Sequence, residues 1–160
     1  MEVRSKITRA FLRLLKKDAH LLVVEANERS ITHRFAVYIE DEFPDFDVDC
    51  EFNRKGNDPK RLKHFRRKIT SANTKGVSVF PDVIVHLRGT RVNHLVIEAK
   101  TKSNAEDCSE TQSCKCDLCK LRSYKVELGY THAFYIVFPV GRGLKEFKES
   151  CLVNHIREIP

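Results

Sequence analysis

Val79-Phe80-Pro81-Asp82-Val83-Ile84-Val85-His86-Leu87 and Val92-Asn93-His94-Leu95-Val96-Ile97-Glu98-Ala99-Lys100-Thr101 are the most strand-like stretches of the chain, and their reading decides the fold. Both are rich in Val, Ile and Leu, and Gly89 lies between them, so they read as a hairpin. Strand side chains alternate faces. Glu98 and Lys100 therefore share a face, about 6.6 Å apart along the strand, while Leu95, Ile97 and Ala99 turn to an apolar opposite face. Charges closing a buried strand are expensive unless they are paired or hold a metal. Asp82 poses the same problem inside its own apolar run.

Residue numbers across an antiparallel pair sum to a constant, which makes the register a test. Asp82 opposite Glu98 requires a sum of 180, pairs Arg88 with Val92, and leaves a three-residue loop Gly89-Thr90-Arg91, a common hairpin connection. A two-residue Gly89-Thr90 loop would put Asp82 opposite Ile97, on the wrong face. The chemistry of a shared site thus requires an odd loop or a bulge.

Working outward, Ser5 to Asp18 has helical spacing of Ile7, Phe11, Leu14 and Leu15. Leu21 to Val24 is a short buried run. A second helix is expected from an N-cap at Asn27 to about Phe43, with the stripe Ile31, Phe35, Tyr38, Ile39 and Phe43 ahead of Pro44. Phe46 to Phe52 alternates as a strand, and a basic loop or short helix follows. Beyond the hairpin, a helix is expected from Asp117 as N-cap to Leu128, with Gly129 as C′, then a strand over Thr131 to Phe138 ended by Pro139. From Leu144 the tail reads as a short helix and an extended end. The order helix, helix, strand, strand, strand, helix, strand predicts one α/β domain over residues 1–160, a mixed central β-sheet flanked by α-helices.

The chain has 160 residues and 41% hydrophobic content, enough for one core. No segment approaches the run of about 18 apolar residues that a membrane span needs, and Met1 to His20 lacks the apolar region of a secretory signal, so no membrane partner and a cytoplasmic location are expected. The net charge is +7, and Arg54 to Lys68 holds eight basic residues against Asp58 alone, a local +7. Such a patch attracts polyanions, and Arg54, Lys60, Arg61, Lys63, Arg66, Arg67 and Lys68 are its candidate nucleic-acid contacts. Asn53 and Arg54, closing the first strand, are placed to meet a phosphate.

With Asp82, Glu98 and Lys100 on one face, two carboxylates and a main-chain carbonyl suit Mg²⁺ or Mn²⁺. Such an ion polarises a phosphate and lowers the pKa of a bound water, and Lys100 can offset charge building on the phosphate oxygens. The same spacing also suits a structural ion-pair cluster. Pro81-Asp82, fifteen intervening residues and Glu98-Ala99-Lys100 resemble the PD-(D/E)XK nuclease superfamily, over a span from about Glu25 to Phe138. The resemblance implies a restriction endonuclease-like core and a metal-dependent endonuclease, with DNA as substrate and a homodimer as in relatives acting on branched DNA. Asp82, Glu98 and the Ala99 carbonyl would be the metal ligands, and Lys100 would assist hydrolysis. It also implies a glutamate on the preceding helix: Glu28 continues the buried stripe and is the first choice, Glu25 the competitor. On the following helix, Lys120, in the expected first turn, and Tyr124 are the polar candidates, Lys120 doubling as a nucleic-acid contact.

Four of the six cysteines, Cys108, Cys114, Cys116 and Cys119, fall within twelve residues. Four thiolates can close a structural zinc site, some nucleases of that superfamily hold an iron–sulfur cluster, and a reduced loop is the third reading. The histidines, His33 and His64 among them, show no ligand spacing, and Gly141-Arg142-Gly143 is too short for a nucleotide loop. Two rivals to the endonuclease stand: a nucleic-acid-binding module of the same fold, and a zinc-stabilised interaction protein.

Overall fold

The computed structural model describes residues 2–55, 58–62, 77–103 and 112–160, with the backbone alone for 55, 58, 59, 77 and 112–116. Helix α1 (Val3–Lys17) buries Ile7, Ala10, Phe11 and Leu14 along one stripe, and Lys16 and Lys17 in its last turn complement the helix dipole. The run after it, read as buried, is a short helix α2 (Ala19–Val23) that buries Leu22 and leaves Val23 and Val24 exposed. Helix α3 (Glu28–Glu42) is capped as its sequence requires: the Asn27 side chain accepts from Ser30 N at 2.9 Å. The stripe Ile31, Phe35, Tyr38, Ile39 and Phe43 is buried throughout.

Strand β1 (Asp47–Cys50) is shorter than its alternation suggested, because the chain turns at Glu51, which sits at φ +50. The basic segment forms short two-stranded ribbons where it is described: β2 (Arg54–Lys55) pairs with β3 (Asp58–Pro59), and β4 (Arg61–Leu62) with β5 (Val77–Ser78). The hairpin strands are β6 (Val83–His86) and β7 (Asn93–Lys102). Helix α4 (Gln112–Leu128) links β7 to β8 (His132–Pro139), the crossover that a parallel pair demands. Helix α5 (Gly141–Glu146), a 3₁₀ turn (Glu149–Cys151), helix α6 (Leu152–His155) and strand β9 (Ile156–Glu158) complete the chain. The molecule is thus mixed α/β, with a five-stranded sheet in the order β1-β6-β7-β8-β9, antiparallel except for β7 with β8. The extended tail expected after Leu144 is its fifth strand.

The two hairpin strands obey the required register by the second of the two routes. Val83 faces Ile97, Ile84 faces Val96 and Val85 faces Leu95, a constant sum of 180, and the register then shifts so that His86 faces Asn93. His94 is the extra residue of a β-bulge. The loop itself is not the expected Gly89-Thr90-Arg91: Leu87 N donates to Val92 O at 3.1 Å and Thr90 N to Leu87 O at 3.2 Å, leaving the four residues Arg88 to Arg91 in the turn. Because of the bulge, His94 joins Leu95 on the α1/α3 side, stacked on Phe46 at 4.6 Å and edge-on to Phe43. Asn93 lies on the other side, its Nδ2 donating to Leu128 O at 2.8 Å.

Two apolar clusters flank the sheet. Leu95, Ile97 and Ala99 pack with α1 and α3; Phe138 stacks on Phe11 at 5.7 Å and meets Phe35 edge-on at 5.2 Å. Ile84 and Val96 pack on the opposite side with Leu121, Tyr124 and Leu128 of α4. That helix begins at Gln112, five residues before the expected cap at Asp117, and it ends as its sequence predicts: Gly129 at φ +74 donates its N–H to Lys125 O at 3.1 Å, an αL cap.

Candidate active site

The site lies where β6 begins and the second half of β7 runs past it. Pro81 and Asp82 lie just before β6, whose first pair is Val83 with Ile97, so Asp82 stands beside the Glu98–Ala99 stretch of β7. Asp82 Oδ2 accepts from Ala99 N at 2.8 Å. A strand residue's N–H and C=O leave by the same edge, so the Ala99 carbonyl faces the same gap. Burial holds the Asp82 carboxyl above its ordinary range, partly offset by the Ala99 N–H and by Lys100 and Lys120.

Glu98 is 1% exposed. Its Oε2 is 2.6 Å from Lys120 Nζ, while Oε1 is buried without a hydrogen-bond partner. Burial, reinforced by the charge of Asp82, pushes Glu98 up to about 8 in spite of Lys120. Tyr124, fully buried, also has an unpartnered hydroxyl, and its ionisation is driven far upward by burial and by Glu98.

Lys100 reaches the rim of the sheet. Its Nζ lies 3.0 Å from Glu28 Oε1 and 3.8 Å from Asp117 Oδ2. Burial pulls its pKa down, but the hydrogen bond to Glu28 and the charges of Asp117 and Asp82 outweigh that, so the ammonium is held above its ordinary value. Glu28 also takes Thr101 N at 3.2 Å through Oε2. The first turn of α3 is therefore fastened to the end of β7, as the continuation of its stripe suggested. Glu25, the competitor, is turned away: it adopts φ +51 and its carboxylate lies against Gly141 so closely that a Cβ there would collide with it.

Several expectations are corrected. Lys60 does not belong to an exposed basic face: it is fully buried, its Nζ donating to Tyr130 Oη at 2.7 Å and to Phe52 O at 3.3 Å. The ammonium also lies 5.4 Å from the centre of the Phe52 ring and 5.3 Å from that of Tyr130. Arg54 and Arg61 are exposed. Lys120 lies at the site, as expected of a polar residue on this helix, with its Nζ on Glu98 Oε2, but it stands in the third turn of α4 rather than the first. Asp117 is no cap but part of the site, with a buried Oδ2 that lacks a hydrogen bond. Its signal was legible as spacing: Asp117, Lys120 and Tyr124 stand at i, i+3 and i+7, one face of a helix. Lys63, His64, Arg66, Arg67, Lys68 and Cys108 lie outside the described residues, as do the side chains of Cys114 and Cys116, whose backbone is in α4. Cys119 is exposed and free.

The donor set suits a hard cation. An unpartnered oxygen on a buried carboxylate, a second partly desolvated carboxylate and an adjacent carbonyl edge match Mg²⁺ or Mn²⁺, which take one or two carboxylates and keep several waters. Among the described residues no three of His, Cys, Asp and Glu form a ready-made cage, so Asp82 and Glu98 would supply the carboxylates. The Cys50 thiol nearby is pushed up to about 11 by desolvation and by Asp49, Asp82 and Glu51, which leaves it a neutral thiol and no nucleophile. An open cleft of about 220 Å³ adjoins Asp82 between the first turns of α3 and the end of β1. Comparison of the chain with protein-family models, with curated proteins and with solved structures returned no match.

Proposed function

We propose that the chain is a divalent-cation-dependent endonuclease of the PD-(D/E)XK type, hydrolysing phosphodiester bonds in DNA. The observation that carries the reading is Asp82, held on the Ala99 N–H next to buried Glu98, one of whose oxygens has no hydrogen-bond partner, beside a lysine fixed at the rim by Glu28. Support also comes from connectivity: a helix, three antiparallel strands, a helix and a strand parallel to the third follow the order that the motif's resemblance implies.

Asp82, Glu98 and the Ala99 carbonyl would hold the cation, whose contribution when bound is electrophilic activation of the phosphate and of water. Lys100 acts by charge. Its ammonium, oriented by Glu28 and Asp117, stabilises negative charge accumulating on the phosphate oxygens. Lys120 offsets part of the repulsion between Glu98 and the neighbouring Asp82 carboxylate. Exposed Arg54 and Arg61 would contact the backbone of the polynucleotide without reading sequence.

The test is cleavage of plasmid, linear and branched DNA, and of RNA, with and without Mg²⁺. Asp82→Ala and Lys100→Ala are each expected to reduce DNA cleavage at least about a hundredfold. Both variants cutting like the wild type would overturn the reading. So would binding of DNA without cutting, and a binding module of the same fold would then lead. RNA cut in preference to DNA would correct the substrate.

A further inference from the structure

The cleft beside Asp82 has features that the phosphodiester chemistry does not use. One wall comes from the first turns of α3, with Arg29, Thr32 and His33, and the other from the end of β1, with Cys50 and Glu51. Thr32 is 5% exposed, and its Oγ1 is buried with no hydrogen-bond partner. A buried hydroxyl left unpaired costs about 1–3 kcal/mol, so the cleft contains a polar group awaiting a partner. Glu51 holds the left-handed conformation at φ +50, unusual for a residue with a side chain. Its Oε1 is 2.8 Å from Arg29 Nε, an ion pair that joins the two walls. The Arg29 side chain is otherwise 84% exposed, so a carboxylate fixes a guanidinium whose faces stay open.

The chemistry of an occupant follows. Glu28, Glu51 and Asp82 all border the cleft, so an anion would be repelled. A small neutral ligand with a hydrogen-bonding edge and a flat face suits an unpaired hydroxyl and an open guanidinium. About 220 Å³ is below the range of about 300–1,000 Å³ that encloses drug-sized ligands, and fits one ring system. We propose that the cleft is a nucleobase subsite, taking the base of the nucleotide that flanks the phosphodiester at Asp82 and Glu98. Thr32 Oγ1 bonds the edge of the base, and the Arg29 guanidinium stacks on its face. The inference rests on the nuclease reading for the identity of its ligand, but not for its test.

That test is binding of deoxynucleosides without phosphate to the full chain without added metal, followed by amide chemical shifts, with inorganic phosphate as control. Shifts are expected at Arg29 to His33 and at Cys50 and Glu51 with the nucleosides and not with phosphate. Thr32→Val removes only the unpaired hydroxyl and is expected to fold like the wild type, and to weaken nucleoside binding about three- to tenfold. Arg29→Ala should weaken it likewise. In cleavage, an abasic nucleotide beside the cut should raise KM for the wild type, and raise it by a smaller factor for Thr32→Val, which keeps only the Arg29 contact to the base. Unperturbed cleft amides, or nucleoside affinity indifferent to Thr32→Val, overturn the subsite even if DNA is cut. Cleft binding by a protein that cuts nothing supports the subsite and overturns the nuclease reading.

Discussion

On the α1/α3 side of the sheet, Leu95, Ile97 and Ala99 meet Phe11, Phe35 and Phe138 in a packing that is apolar up to its margin, where Thr32 sits. On the α4 side, Ile84 and Val96 share their layer with Glu98, Lys60, Asn93 and three tyrosines. Both sides exclude water, but they use that exclusion differently. Dry packing without polar groups converts burial into stability. Dry packing around charged groups raises the pKa of carboxylates, lowers that of lysines and strengthens the interaction between neighbouring charges, at a cost to stability. A site that needs a poised carboxylate belongs on the second side, and the first has to carry it.

Breaking the dry side should have the largest effect. Phe35→Ala removes a buried ring from the contact with Phe138 and is expected to destabilise by about 3–5 kcal/mol in denaturant unfolding. On the other side, Tyr124→Phe keeps its ring and deletes only a hydroxyl without a hydrogen bond, so no stability should be lost and up to about 1–3 kcal/mol gained. Equal losses at the two positions would erase the distinction between the sides.

The charged side should reveal itself through pH. Glu98 is held near 8 in the folded protein against an ordinary value of 4.5. Between those values the folded state binds more protons than the unfolded state, so stability falls as pH rises through that window. Asp82, also raised, adds to it with the same sign. The slope approaches at most about 1.4 kcal/mol per pH unit for one proton. Thermal unfolding from pH 5 to pH 8 without divalent cations should show the decline, and Glu98→Gln should flatten it; a wild-type curve as flat as the variant's would show that Glu98 titrates normally. The smallest effect belongs to the surface. Arg142→Ala breaks the exposed pair with Glu146 and should change stability by less than about 0.5 kcal/mol, on the same measurement.

Period was the legible part of this fold. Alternation placed Glu98 and Lys100 together and Leu95, Ile97 and Ala99 opposite, and helical spacing placed the stripe of α3, because each repeats over many residues. The bulge at His94 was not legible as such, since one extra residue leaves no period of its own; only the demand that Asp82 face Glu98 announced it. Asp117 misled for a local reason: aspartate ahead of an apolar helix reads as a cap, and it outweighed Thr111, a residue of equally suitable type ahead of the true start at Gln112. Lys60 sat in a run of basic residues and was read with them, yet its burial depends on Tyr130, seventy residues away. Long-range pairing of a single charged side chain has no sequence signature.

The bulge has one further consequence. It acts as a phase converter between the turn and the site. The turn Arg88 to Arg91 spans an even number of residues, which alone would have sent Glu98 and Lys100 into the phenylalanine layer; His94 corrects the parity within two pairs of the turn. Because His94 is held by Phe46 and Phe43 rather than by the turn, the tip can drift in sequence and length while the carboxylates keep their side. Straightening the bulge with His94 and the turn both kept would transpose Leu95 to Lys102 between the two layers, and the chain would have to choose between its core and its chemistry.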